Sequence, residues 1–264
     1  MVWRPALSAV RGPQGYALPW ESGGPLDLDG GGALTPPAIL GSMLTFWVDE
    51  RGQVGSPIDT WTSQVAGFGN ITASLTERPA TGRTINGFAA PDFDGANDRM
   101  IGGVPISNLV GVTKMFFLAV VNLDAIVGSA VDMYSNECLL GDNGNNVWLG
   151  FRNNAGALTA GFGIFAGGLV KQVSDTVVTG SAVLIQGWHD GTDVNVRIGA
   201  AAPVSLACGS IGSRGGGLRV GCNGASAVFM NGICGTIIGC NDCPSAAQIA
   251  SVRSYVSAKY GVAA

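Results

Sequence analysis

From Met43 onward the chain alternates short apolar runs with clusters of Gly, Asn and Asp. Apolar runs of strand length bounded by turn residues predict β-strands. Here they fall at 43–48, 88–93, 115–121, 147–151, 158–162, 182–189, 194–198, 218–222 and 233–239. Between two of these runs, Asp190-Gly191 supplies the positive φ that a tight hairpin requires. Two further turns, Gly144-Asn145-Asn146 and Arg152-Asn153-Asn154-Ala155-Gly156, flank the strand that holds Trp148. Many short strands punctuated in this way predict an antiparallel sandwich or barrel. A single helix closes the chain over 245–260. Ser245 and Gln248 have the spacing of a capping box, Ile249, Val252, Val256 and Tyr260 share a face, and Gly261 stops the helix.

Residues 1–42 read differently. They hold Pro5, Pro13, Pro19, Pro25, Pro36 and Pro37 together with Gly30-Gly31-Gly32, and show neither strand nor helix periodicity. The expectation is an extended arm. It carries Trp3, Tyr16 and Trp20, aromatics in which disordered tails are poor, so the arm is expected to dock on its own domain or on a neighbour. The division is therefore an arm over 1–42 and one β domain over 43–264, since all-β sandwiches reach this length as single units.

Composition removes several classes of partner. Only 12% of the 264 residues are charged, 42 are glycine, and the net charge is −4. Lys114, Lys171 and Lys259 are the only lysines and no basic cluster exists, which argues against nucleic acid. The acidic balance offers no attraction to an anionic membrane, and no run of about 18 apolar residues is present to cross one. Met1-Val2-Trp3-Arg4-Pro5 lacks the layout of a secretory signal, which predicts synthesis in a cytoplasm.

Cys138, Cys208, Cys222, Cys234, Cys240 and Cys243 leave three readings open. They are buried thiols packed as small hydrophobes, disulfides formed late and between subunits, or a zinc site around Cys240-x-x-Cys243. The third lacks a second short Cys pair.

Several motifs in order resemble the concanavalin A-like lectin/glucanase superfamily in its laminin-G-like form, known from phage and bacterial surface proteins. They are Leu44-Thr45-Phe46-Trp47-Val48-Asp49, Asp59-Thr60-Trp61, Arg78-Pro79, the stretch from Asn86-Gly87-Phe88 to Phe93-Asp94-Gly95-Ala96-Asn97-Asp98, Val147-Trp148-Leu149-Gly150-Phe151-Arg152, Trp188-His189-Asp190-Gly191-Thr192, and the closing helix. The likeness spans about residues 43–264. It implies an all-β jelly-roll sandwich with one C-terminal helix. That fold hosts lectins, hydrolases and structural modules, so function must come from the site.

Hydrolases of this superfamily carry E-x-D-x-x-E on one strand, and the motif is absent. Among Glu21, Glu50, Glu77 and Glu137, none has a carboxylate two residues on. The only histidine, His189, has no G-x-S-x-G elbow to pair with and reads as a partly exposed hairpin residue. No catalytic residue is assigned and the chain is expected not to be an enzyme. Calcium is the only cofactor considered, since some laminin-G-like domains bind it at loop ends. Asp92, Asp94, Asn97 and Asp98 are the preferred ligands, ahead of Asp142, Asn143, Asn145 and Asn146. For a glycan, Trp61, Trp148, Asn145, Asn153 and Asn154 offer an aromatic platform with amides around it, although Trp148 sits in an apolar strand and also reads as core.

The resemblance implies extracellular work while no export signal is visible. A virion reconciles the two, because its parts are made in the host cytoplasm and reach the outside by lysis. The sequence thus favours a non-catalytic phage accessory protein, a capsid decoration, collar or fibre component attached through its arm, with other virion proteins and its own copies as partners. The alternative is an extracellular lectin-like module that binds cell-surface glycans.

Overall fold

The computed structural model describes residues 34–264 except 109–112, 131–132, 143, 145, 167–168, 212–215 and 223–227. A short helix α1 (Pro36–Leu40) precedes strands β1 (Leu44–Val48), β2 (Gln53–Val54), β3 (Thr60–Thr62), β4 (Asn70–Thr72), β5 (Thr84–Ile85), β6 (Phe88–Ala89), β7 (Asp92–Asp94) and β8 (Met100–Pro105). Next come β9 (Met115–Ala125), β10 (Cys138–Asp142), β11 (Val147–Asn154), β12 (Ala157–Ala166) and β13 (Leu169–Thr176). The chain ends with β14 (Ala182–His189), β15 (Asp193–Ile198), β16 (Val204–Ala207), β17 (Gly217–Val220), β18 (Asn231–Cys240) and α2 (Ala246–Tyr260).

These strands form two antiparallel sheets. One runs β1-β18-β9-β14-β15-β16, with β7 also paired to β18; the other runs β13-β12-β11-β10-β17-β8-β4-β3-β2. The seven-stranded sheet lies between the sandwich core and the helices, which explains why β9 is an almost unbroken apolar run. Met115, Phe117, Ala119 and Val121 enter the inter-sheet core, while Phe116, Leu118 and Val120 face the helix layer with Trp47, Ile238, Val252 and Val256. A strand buried on both faces needs apolar residues at every position. Each such side chain contributes about 1.5–3 kcal/mol of burial.

The closing helix has the expected cap. Gln248 N–H donates to Ser245 Oγ at 3.3 Å, Ser245 N–H donates to Gln248 Oε1 at 3.0 Å, and Gly261 ends the helix at φ 66°. Two charges the periodicity did not place inside are buried beneath it. Arg253 donates to Gln186 Oε1 at 2.8 Å and to the carbonyl of Gly199 at 2.5 Å, and burial, helped by Arg197, pulls its guanidinium down to about 10. Lys259 Nζ reaches Asp49 Oδ2 at 3.2 Å and Glu50 Oε1 at 2.9 Å.

Several expectations need correction. Residues 36–42, expected to belong to an extended arm, are helical, as is Met43, expected to open the first strand: Ile39 and Leu40 bury against the helix layer and Gln248 Nε2 donates to the carbonyl of Ile39 at 3.1 Å. Trp3, Tyr16 and Trp20 lie outside the described residues. The strand expected over 88–93 breaks at Ala90-Pro91 into β6 and β7. His189 is fully buried, with Nδ1 2.7 Å from the Thr113 carbonyl and Nε2 2.8 Å from the Gly209 carbonyl. None of the six cysteines forms a disulfide; Cys138, Cys222, Cys234 and Cys240 are buried, out of reach of a second chain, and Cys208 and Cys243 are half-buried. Burial pushes the Cys243 thiol up to about 11 and that of Cys240 to about 12. No helix among the described residues is long and apolar enough to cross a membrane.

Candidate ligand-binding site

The α-helices cover the outer face of the seven-stranded sheet, and among the described residues the exterior of the nine-stranded one carries no α-helix. Along β11, Val147, Leu149 and Phe151 enter the core, which turns Trp148 to that exterior face. There the indole packs with Cys138, Tyr134 and Val170. It can lie close to the sheet because its cross-strand neighbour is Gly163.

Tyr134 arrives from a different element. It sits on a strap between β9 and β10 that three buried or half-buried polar side chains pin down. Glu137 accepts the N–H groups of Val127 and Gly128 at 2.7 and 3.0 Å, Asn136 exchanges two hydrogen bonds with the backbone of Ala130, and Asn153 Nδ2 donates to the carbonyl of Ile126 at 3.1 Å. The strap brings the Tyr134 ring edge-on to Trp148, centroids 5.5 Å apart.

Beside this pair lies a cavity of about 220 Å³ lined by Tyr134, Gly144, Asn146, Phe165 and Val170. None of these five carries a charge. Phe165, on β12, is 37% exposed, so its ring is available to a ligand. Asn146 is held by Asp142, whose carboxylate accepts from the Asn146 backbone at 2.5 Å, its side-chain Nδ2 at 2.6 Å and the Val147 N–H at 3.0 Å. One N–H of the amide is thereby spent inward, which fixes the orientation of the group. Behind the wall formed by Tyr134 and Val170, the buried Nε1 of Trp148 has no hydrogen-bond partner among the described residues. A buried donor left unsatisfied costs about 1–3 kcal/mol. Aromatic faces and a fixed amide suit a neutral, hydroxyl-bearing ligand.

The site expected from sequence is only partly assembled. Trp61 is fully buried with Nε1 donating to the Asp49 carbonyl at 2.6 Å, and its strand β3 lies five strands from β11, roughly 24 Å at the usual spacing. It cannot share a platform with Trp148, which is itself 1% exposed and supports the pocket instead of facing solvent. Asn153 pins the strap, Asn154 is exposed at the β11–β12 hairpin, and Asn145 lies outside the described residues. Tyr134, Phe165 and Val170 were missed.

The calcium ligands do not converge either. Asp92 is engaged by Arg83 at 2.9 Å. Asp94 Oδ1 accepts the N–H groups of Ala96, Asn97 and Asp98 at 2.8, 3.1 and 3.3 Å. Burial pushes this carboxyl up, but those bonds outweigh it and hold the group below its ordinary value. Asn97 Nδ2 donates to the carbonyl of Thr76 at 2.8 Å, and Asp98 accepts the Asp94 N–H at 3.0 Å. The cluster is a turn closed on itself. In the second cluster, Asp142 is occupied by backbone and Asn146 donors, and Asn143 and Asn145 lie outside the described residues. Among the described residues no three His, Cys, Asp or Glu side chains stand close enough to hold a metal ion, and this includes Cys240 and Cys243.

The strands and the closing helix define an antiparallel β-sandwich. Domain 4 of AbnA, a GH43 extracellular arabinanase from Geobacillus stearothermophilus solved in complex with arabinotriose, matches 79% of the chain over 97% of its own length, with TM-score 0.53 and 13% identity. The binding domain of botulinum neurotoxin serotype G matches 81% of the chain over 50% of its own, with TM-score 0.56 and 8% identity. Trypanosoma rangeli sialidase in complex with sialic acid matches 82% over 33%, with TM-score 0.55 and 9% identity. The chain thus spans about half or a third of the last two, and identities this low show the fold alone. No protein-family model matches the chain, and no curated relative does.

Proposed function

We propose that the chain is a non-catalytic, lectin-like carbohydrate-binding module of concanavalin A-like type that takes a neutral sugar between Tyr134 and Phe165. The observation that carries this reading is the uncharged cavity flanked by the Tyr134 and Phe165 rings, with the Asn146 amide fixed beside them. The arabinotriose-bound arabinanase domain, similar over nearly its whole length, supports it. A virion accessory role is carried by no feature of the described residues.

The test is a broad glycan array that includes arabinan oligosaccharides, followed by calorimetry on any hit. Phe165→Ala and Tyr134→Ala should each weaken binding about tenfold, the value of one aromatic contact, with the melting temperature of Phe165→Ala unchanged. An empty array, or hits indifferent to both substitutions, would refute the assignment.

A further inference from the structure

The last turn of α2 buries an amine against two carboxylates that follow β1. Lys259 Nζ stands 3.2 Å from Asp49 Oδ2 and 2.9 Å from Glu50 Oε1, with the Lys259 side chain 5% and that of Asp49 0% exposed. The same nitrogen lies over the Phe88 and Tyr260 rings, 5.1 and 5.6 Å from their centroids.

Both partners are fixed in place. The Asp49 carbonyl accepts from the buried Trp61 Nε1 at 2.6 Å. Asp49 Oδ1 accepts the Arg51 backbone N–H and Nε, each at 3.2 Å, and Oδ2 accepts Arg51 Nη2 at 2.6 Å. Lys259 is held through its own carbonyl, which accepts Asn86 Nδ2 at 2.9 Å, and the Tyr260 hydroxyl sits 3.2 Å from Glu50 Oε2.

An ammonium and a carboxylate do not condense in water, where hydration stabilises both ions. Buried, this pair has lost that hydration. A fixed contact between reacting groups also corresponds to an effective concentration of about 10⁵–10⁸ M. The third group, Glu50, lies within hydrogen-bond reach of the nitrogen, as a general base must.

We infer that Lys259 and Asp49 condense to an intramolecular isopeptide bond, with Glu50 as the proton relay. The bond from Lys259 Nζ to Asp49 Cγ forms and the bond from Asp49 Cγ to Oδ2 breaks. Two of the three ammonium protons end on the departing oxygen, one of them carried by Glu50, and Oδ2 leaves as water. A cation and an anion become a neutral amide, so charge balances and no oxidant, reductant or cofactor is consumed. Oδ1 remains as the amide oxygen on its two Arg51 donors, which also face the negative charge that builds there in the tetrahedral intermediate.

The bond ties the end of β1 to the end of α2 across 210 positions of the sequence, with β2 to β18 inside the loop it closes. Clips that close long loops remove the most freedom from the unfolded chain. The ion pair is the precursor and holds the same two elements together before the reaction.

Mass spectrometry of the denatured full chain tests it. The wild type, incubated at neutral pH, should be lighter than its sequence by one water, and a tryptic digest should contain a branched peptide joining Lys259 to Asp49. Lys259→Arg keeps the charge, cannot form this bond and should retain the full mass. Glu50→Gln should fold with an unchanged circular dichroism spectrum yet lose water about a hundredfold more slowly. A wild type that keeps its full mass after prolonged incubation, or a water loss mapped to any other pair of residues, would overturn the inference. Water loss at the wild-type rate in Glu50→Gln would overturn the relay.

Discussion

The indole of Trp148 fills the space above Gly163: a β-carbon built on that glycine would stand 2.3 Å from Cζ2 and 2.7 Å from Nε1. The cavity beside Tyr134 depends on this relationship, because Trp148 packs against both Tyr134 and Val170. The absence of one side chain on β12 places an aromatic ring that β11 carries.

Gly163→Ala should therefore displace the indole. The expected loss is about 1–3 kcal/mol of stability, typical of overpacking, together with a changed near-ultraviolet tryptophan signal and weakened sugar binding. Chemical denaturation and circular dichroism measure the first two. A variant as stable as the parent, with an unchanged spectrum, would mean that Trp148 is not held against Gly163.

Asp98 sets a pH dependence. Burial pushes its carboxyl up from 3.8 to about 6, the Asp94 N–H opposes this, and repulsion from Asp94 and Asp92 adds to the rise. Between pH 4 and 6 the folded state therefore binds more protons at this site than the unfolded chain, so its contribution to stability falls as pH rises through that window. Asp98→Asn can still accept the Asp94 N–H. It should raise stability at pH 7 by on the order of 2 kcal/mol and flatten the pH 4–6 slope, measured by melting across pH. A destabilised Asp98→Asn at pH 7 would contradict the buried-charge account.

Lys259 offers a third check. Its ammonium is 5% exposed against a fully buried Asp49, so Lys259→Met leaves buried carboxylates with fewer partners and should cost about 3 kcal/mol. Arg51, 2.6 Å from Asp49, and the Tyr260 hydroxyl, 3.2 Å from Glu50, limit the damage. The exposed pair Lys114–Asp242, 3.9 Å apart, is the control: Lys114→Met should change stability by less than about 0.5 kcal/mol. Equal effects from the two substitutions would show that burial does not govern the difference.

Much of the fold was legible locally. The run 182–189 is β14 to the residue, because apolar side chains there are needed on both faces of a covered sheet. The Ser245–Gln248 box and Gly261 mark the ends of α2 by hydrogen bonds made within one turn. The β11–β12 hairpin turns at Ala155-Gly156, φ 51° and 94°, where turn residues were expected. By contrast β13, Leu-Val-Lys-Gln-Val-Ser-Asp-Thr, was missed as a strand. Its polar residues fit an edge, and only the placement of β12 beside it makes it one.

Residue patterns therefore determined an all-β domain of sandwich or barrel type, its closing helix and several of its turns, since strand alternation, caps and tight turns are decided by neighbours a few positions apart, and the family resemblance narrowed that to a sandwich. The tertiary structure decided which aromatics are buried, that Trp61 and Trp148 stand five strands apart, that His189 is enclosed, and that Tyr134, Asn146, Phe165 and Val170 surround one cavity. Those outcomes depend on strand order, register and a strap pinned by Glu137, Asn136 and Asn153. They follow from contacts between elements that no local period encodes.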